Sequence, residues 1–127
     1  TIFIGEPKKE LIKIYDIVKK AQQAALEGIR TGMSGCDADK IARDIIAENG
    51  YDGAFGHSLG HGVGIEIHEE PRLSAKSVDI LKDGMVFSVE PGIYVEGLGG
   101  VRIEDMVVLE NGKVRNFTTS PKDIIII

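Results

Sequence analysis

The stretch from Phe55 to Pro71, Phe-Gly-His-Ser-Leu-Gly-His-Gly-Val-Gly-Ile-Glu-Ile-His-Glu-Glu-Pro, holds all three histidines of the chain with four glycines threaded between them. Gly56, Gly60, Gly62 and Gly64 carry no Cβ, so the backbone there can approach a neighbour closely or adopt positive φ. Side chains that close around a small ligand or an ion need that freedom. A single histidine in an apolar strand is more often a satisfied core residue than a ligand. His57, His61 and His68 together, in this setting, read as a site.

Ahead of this stretch the chain reads as helix. Thr1 to Gly5 is a short β-favouring run with no turn, cap or polar lead-in before it, so it resembles a strand cut from something longer. Pro7 suits the first turn of a helix. Leu11, Ile14, Tyr15, Val18, Ala21, Gln22, Ala25 and Ile29 then recur at helical spacing, with Gly28 and Gly32 bracketing the end. Ser34-Gly35-Cys36-Asp37 matches a capping box, and Ile41, Ile45 and Ile46 supply the apolar stripe of a second helix that closes near Gly50. In this half the stripes are expected to be core and the charges solvated faces.

After Tyr51-Asp52-Gly53 the pattern turns to strands. His61 to His68 reads as β, Glu69-Glu70-Pro71 as turn-rich and Val78 to Lys82 as a short segment. Asp83-Gly84 is a turn signal ahead of a strand from Met85 to Glu90, which Pro91-Gly92 ends. Ile93 to Val95 is brief, Gly97 to Gly100 is a flexible turn, and Val101 to Leu109 is the longest strand, returning through Asn111-Gly112 into Lys113 to Phe117 as a hairpin. Ile124 to Ile127 form an apolar tail that is an aggregation hazard unless docked on the sheet or a partner. His61 and His68 lie seven residues apart and would face opposite sides of a regular strand. A bulge near Gly62 or Gly64 is needed for them to meet.

Composition narrows the function classes. Fifteen basic against twenty acidic residues give a net charge of -5, which argues against a nucleic-acid footprint and lends no support to binding anionic lipid. Tryptophan is absent and aromatics total 6%, which lowers the prospect of a base-stacking platform. No apolar run approaches the roughly 18 residues of a membrane span. Cys36 is alone, so no internal disulfide forms, in keeping with a reducing, cytoplasmic setting. The expected partner is a small molecule.

Two carboxylates accompany the histidines. Glu90 ends its strand just before the Pro91-Gly92 bend, beside Val86 and Ser88 on one face. Glu104 shares a face with Arg102, in a strand that is apolar on both sides and therefore expected to be covered on both. Charge in such a strand has either a partner, here a buried Arg102–Glu104 pair, or a metal. One imidazole plus two carboxylates suits Mn²⁺, Co²⁺ or Zn²⁺. That set can serve as half of a two-metal hydrolytic site and is too few for two ions, because a bridged pair of cations needs more carboxylate oxygen. Asp52, Asp79 and Asp83 are turn residues and Asp105 lies on the face opposite Glu104.

Gly60-His61-Gly62-Val63-Gly64, His68-Glu69-Glu70-Pro71, Ser88-Val89-Glu90-Pro91-Gly92-Ile93-Tyr94 and Gly100-Val101-Arg102-Ile103-Glu104-Asp105 resemble the pita-bread metallopeptidases, specifically the Xaa-Pro aminopeptidase and Xaa-Pro dipeptidase (prolidase) branch. The resemblance covers essentially the whole chain. It implies an α+β fold, the C-terminal part of the pita-bread architecture, with two helices on a mostly antiparallel curved sheet. It implies that His61, Glu90 and Glu104 are ligands to two divalent ions, Mn²⁺ foremost, with Glu104 bridging both and Glu90 also the general base. His57 would meet substrate, His68 would stabilise the tetrahedral intermediate, and Tyr94 and Arg102 would orient the site. The substrate would be a short peptide with proline after its first residue.

The family's two aspartate ligands lie just upstream of where Thr1 begins, so residues 1–127 resemble the C-terminal portion of a catalytic domain. Such a portion is expected to bind metal weakly, to be inactive alone and to self-associate, its Thr1 to Gly5 strand pairing with a neighbour. Two other readings stand beside the peptidase: a non-catalytic interaction module built on the same fold, and a methionine-aminopeptidase-like exopeptidase. Retention of His61, Glu90 and Glu104 speaks against the metal-free branch of the fold. Pro91-Gly92-Ile93-Tyr94 and the Val-Arg-Ile-Glu-Asp run resemble the Xaa-Pro branch.

Overall fold

Two helices come first, as the apolar spacing dictates, in a computed structural model that describes residues 1–127. Helix α1 (Lys9–Gly28) buries Ile14, Tyr15, Ile17, Val18, Ala21, Gln22 and Ala25 along one face. Helix α2 (Gly35–Ile46) starts at Ser34, whose side chain accepts from the Asp37 amide at 3.0 Å, an N-cap worth about 1 kcal/mol. Its buried face is not the isoleucine stripe. Gly35, Ala38, Asp39, Ala42 and Ile46 are buried, while Ile41 and Ile45 only pack partly against the core. Small residues are required because α2 begins against strand backbone: a Cβ on Gly35 would lie 2.0 Å from the Arg72 carbonyl oxygen. A wider helical turn, Ala47–Tyr51, closes this half with Gly50 at φ 86°, a conformation glycine adopts without strain.

The remaining chain forms seven strands. They are β1 (Gly60–Gly62), β2 (Glu69–Leu73), β3 (Val86–Val89), β4 (Gly92–Val95), β5 (Gly99–Arg102), β6 (Asp105–Glu110) and β7 (Lys113–Asn116). Five make one antiparallel sheet in the order β2-β1-β3-β6-β7, and β4 pairs with β5 in a second sheet. Helix α1 packs on both sheets and on α2. Phe87, Ile14, Ile29, Ile46, Leu59, Leu73, Leu81, Ile93 and Leu109 are fully buried between these layers. The β6–β7 hairpin turns at Asn111 and Gly112, both at positive φ, as an Asn-Gly turn requires.

Three expectations change. His61 to His68 is not a strand: only Gly60–Gly62 is extended, and the register slips between His61 and Gly62, which is the irregularity the histidine spacing demanded. Glu69 to Pro71 belongs to strand β2 rather than a turn, because a loop from Val63 to His68 brings the chain back antiparallel to β1. Val101 to Leu109 is two strands, since Arg102 pairs with Gly92 in one sheet and Asp105 with Val89 in the other. The chain changes sheet at Ile103-Glu104. Within the chain, Thr1 to Gly5 and the isoleucine tail pair with each other. Phe3 and Ile126 form a parallel bridge, with Phe3 N–H donating to Ile125 and Ile127 N–H to Phe3, each at 2.9 Å.

Candidate metal centre

Both expected glutamates sit where the two sheets meet. Val89 lies opposite Asp105 and Gly92 opposite Arg102, so the antiparallel register runs unbroken across the gap and sets Glu90 opposite Glu104. Like charges directly opposite on neighbouring strands repel. Glu90 is 8% exposed, whereas Glu104 is exposed. Glu104 also borders a cavity of about 370 Å³ with Thr1, Ile2, Ile103, Asp105 and Lys122.

His61 reaches the same point from β1. Its Nε2 lies 3.0 Å from Glu90 Oε1, and its Nδ1 lies 3.0 Å from the Gly62 carbonyl oxygen. That carbonyl can only accept, so Nδ1 carries the proton and the Nε2 lone pair is aimed at a carboxylate oxygen. Two lone pairs at that distance require a cation between them, a proton or a metal ion. Donor atoms bound to one ion at about 2.1 Å and about 90° lie about 3.0 Å apart. The donor set therefore fits a divalent ion. His61, Glu90 and Glu104 do not yet close into a cage, however: no three His, Cys, Asp or Glu side chains converge tightly enough in this chain to hold an ion by themselves.

Ser88 fixes the pair. It donates to Glu90 Oε1 at 2.8 Å and accepts from the His61 amide at 3.1 Å. The approach is possible because a Cβ on Gly60 would lie 1.8 Å from the Ser88 carbonyl oxygen, and one on Gly62 2.1 Å from that of Glu70. Close approach to backbone, not positive φ, is why Gly60 and Gly62 are glycine; none of Gly56, Gly60, Gly62 and Gly64 has positive φ.

The other expected residues line up beside the pair. Arg102 Nε is 3.8 Å from Glu90 Oε2, and its Nη1 donates to Tyr94 Oη at 3.4 Å. The expected buried Arg102–Glu104 pair is therefore absent. Both side chains are exposed, and Arg102 turns across the strand gap to Glu90, the carboxylate that burial leaves in greater need of a partner. Tyr94 Oη lies 3.2 Å from His57 Nε2, and His57 Nδ1 lies 2.8 Å from the Ser58 carbonyl. The carbonyl again assigns the Nδ1–H tautomer, so Tyr94 donates to His57 while accepting from Arg102. Tyr94 lies over bare backbone, opposite Gly100, where a Cβ would come within 2.5 Å of the ring. His68, exposed at the end of the loop, sets its ring against that of His61, the centroids 4.2 Å apart and the planes tilted by 52°.

Sequence reasoning missed Asp39 and Arg43. Asp39 is 1% exposed and binds Arg43 through both oxygens, at 2.6 and 2.9 Å. That hydrogen bonding raises the Arg43 guanidinium further above its ordinary range. A signal was present: residues 39, 42, 43 and 46 share helical i, i+3, i+4, i+7 spacing, which puts the two charges in the buried stripe with Ala42 and Ile46.

Comparison with known proteins places this arrangement. The profile of the family described as "Metallopeptidase family M24" matches residues 1–111. An Xaa-Pro dipeptidase of Pyrococcus furiosus is 47% identical over 98% of this chain and 36% of its own length. The solved structure of an Xaa-Pro dipeptidase from Bacillus anthracis superposes with a TM-score of 0.97 at 48% identity, covering 99% of this chain and 36% of that one. An X-prolyl aminopeptidase from Caenorhabditis elegans, described as a cytosolic enzyme with a di-nuclear active site, matches with a TM-score of 0.82 at 26% identity over 92% of this chain and 21% of its own. The chain thus spans about a third of the length of the dipeptidases it matches.

Proposed function

We propose that this chain, which belongs to metallopeptidase family M24, supplies one imidazole and two carboxylates to the two-metal centre of a peptidase that cleaves Xaa-Pro bonds. Its two helices on antiparallel strands are the C-terminal part of the pita-bread fold. The observation that carries the proposal is the buried His61 Nε2–Glu90 Oε1 contact at 3.0 Å, with Glu104 opposite Glu90 in register. A pair of acceptors facing a third is an arrangement that cations complete. Thr1 Oγ1 donates to the Arg102 carbonyl at 2.8 Å, so residues preceding Thr1 in a longer protein would arrive beside Glu104. In this proposal the two aspartate ligands that the family resemblance implies lie there.

When bound, two divalent ions, Mn²⁺ in this proposal, would supply Lewis acidity and an activated water at neutral pH. The chain's own residues do the rest. Glu90, held by Ser88 and Arg102, accepts the proton of the attacking water. His57, with Nδ1–H fixed on Ser58 and Nε2 accepting from Tyr94, meets the substrate backbone together with Tyr94. His68, exposed beside His61, donates a hydrogen bond to the oxyanion that develops at the scissile carbonyl. The proposed substrate is a short peptide with proline in second position. A cytosolic location is part of the proposal, in keeping with the lone Cys36; no helix is long and apolar enough to cross a membrane.

The test uses the full-length protein that carries this chain, loaded with Mn²⁺, Co²⁺ or Zn²⁺ and offered Xaa-Pro dipeptides and longer Xaa-Pro peptides. Glu104→Gln should abolish most turnover and lower metal content, because an amide cannot bridge two cations as a carboxylate does. His68→Ala should retain metal and lose about 10²-fold in kcat. Full turnover with unchanged metal content in Glu104→Gln would contradict the ligand assignment.

A further inference from the structure

The charges of α2 were expected to be solvated, and Asp39 and Arg43 are not. Arg43 Nη1 donates to the Phe55 carbonyl at 2.8 Å and Nη2 to the His57 carbonyl at 2.9 Å, while its guanidinium lies over the Phe55 ring at 4.2 Å. Asp39 Oδ1 accepts from the Leu59 amide at 2.9 Å, and the Leu59 carbonyl accepts from the Glu90 amide at 2.8 Å. One ion pair thus holds three backbone groups of the loop that carries His57, and its anchor is linked through one residue, Leu59, to the Glu90 amide. An ion pair kept for helix stability alone would sit on the exposed face and make none of these bonds.

We propose that Arg43, anchored by Asp39, is a positioning residue for His57. A planar fork with fixed donors sets the carbonyls of residues 55 and 57, and with them the direction of the imidazole between Ser58 and Tyr94. Phe55 adds a second constraint, its ring standing edge-on to His57 at 5.0 Å. What His57 contributes to turnover rests on the peptidase reading. Where it is held does not.

Arg43→Lys is the variant of choice, since it keeps a charge against Asp39 but a single ammonium cannot span the carboxylate and both carbonyls. In the metal-loaded full-length protein it should lower kcat/KM for an Xaa-Pro dipeptide by about 10- to 100-fold, with melting temperature and far-UV circular dichroism close to wild type. Added to His57→Ala, the same change should cost less than about 2-fold more, because a residue acting through His57 has nothing left to act through. Long-range ¹H–¹⁵N spectra of the metal-free protein should show His57 as the Nδ1–H tautomer in wild type and as a tautomer average in Arg43→Lys. If Arg43→Lys does not fold, the double change Asp39→Asn, Arg43→Gln, a neutral amide pair of similar shape, takes its place. Wild-type kinetics with a wild-type His57 spectrum overturn the inference, as does a loss that multiplies in full on His57→Ala, or a lowered melting temperature with unchanged kinetics. A wild-type protein that cleaves no Xaa-Pro substrate would refute the peptidase reading instead, and the His57 spectrum would still decide this one.

Discussion

The β1–β3 junction and the β5–β6 switch each deliver a part of the centre, and they are built to different standards. At the junction His61 and Glu90 are held from all sides, by Ser88, by the Gly62 carbonyl and by the Leu59 carbonyl on the Glu90 amide. At the switch Glu104 is exposed and has no hydrogen-bond or ion-pair partner. Its neighbour Asp105 is 1% exposed and binds Lys122 at 2.7 Å, yet one of its oxygens is buried without a partner. The junction is determined by this chain. At the switch no group of this chain holds Glu104, so its carboxylate is free for chemistry rather than tied into the fold.

If that contrast is right, substitutions at the junction are stability events and Glu104 is not. Gly60→Ala should have the largest effect, destabilising the full-length protein by about 3 kcal/mol or more, because the added methyl meets strand backbone that cannot yield. Urea unfolding checks it, and a variant of wild-type stability would break the comparison at its stronger end. Ser88→Ala should cost about 1–3 kcal/mol, since it leaves the buried His61 amide unpaired and removes one bond to Glu90. Glu104→Gln, read in metal-free protein, should change stability by less than about 0.5 kcal/mol, with a gain more natural than a loss because it relieves repulsion from Glu90. A cost of about 2 kcal/mol or more there would mean that the switch is as tightly determined as the junction.

Local rules made the helices, the Ser34 cap and the Asn111-Gly112 hairpin readable from the sequence, whereas only the family resemblance joined His61 to Glu90. Each of those local features depends on residues close in the chain or on a residue type with one dominant use. The break at Ile103-Glu104 carries one sequence signal, the adjacent charges Glu104 and Asp105 that interrupt the alternation, and it is the partners, β4 for one half and β3 for the other, that divide the run. For the same reason Arg102 was matched with Glu104, its neighbour on the strand face, when its actual partner Glu90 comes from across the gap. Asp39 and Arg43 were masked differently. An Asp and an Arg at i, i+4 look like an ordinary surface pair, and only the carbonyls of Phe55 and His57, far away in sequence, turn them into part of the site.

The central claim is that His61, Glu90 and Glu104 meet on metal. Anomalous diffraction from crystals of the full-length protein soaked in Mn²⁺ tests it most directly. The account predicts two peaks, one within about 2.3 Å of His61 Nε2, and oxygens of Glu90 and Glu104 in the coordination sphere, with a Glu104 oxygen on each ion. Peaks that leave Glu104 or His61 uncoordinated, in protein that hydrolyses an Xaa-Pro dipeptide in the same buffer, would contradict it.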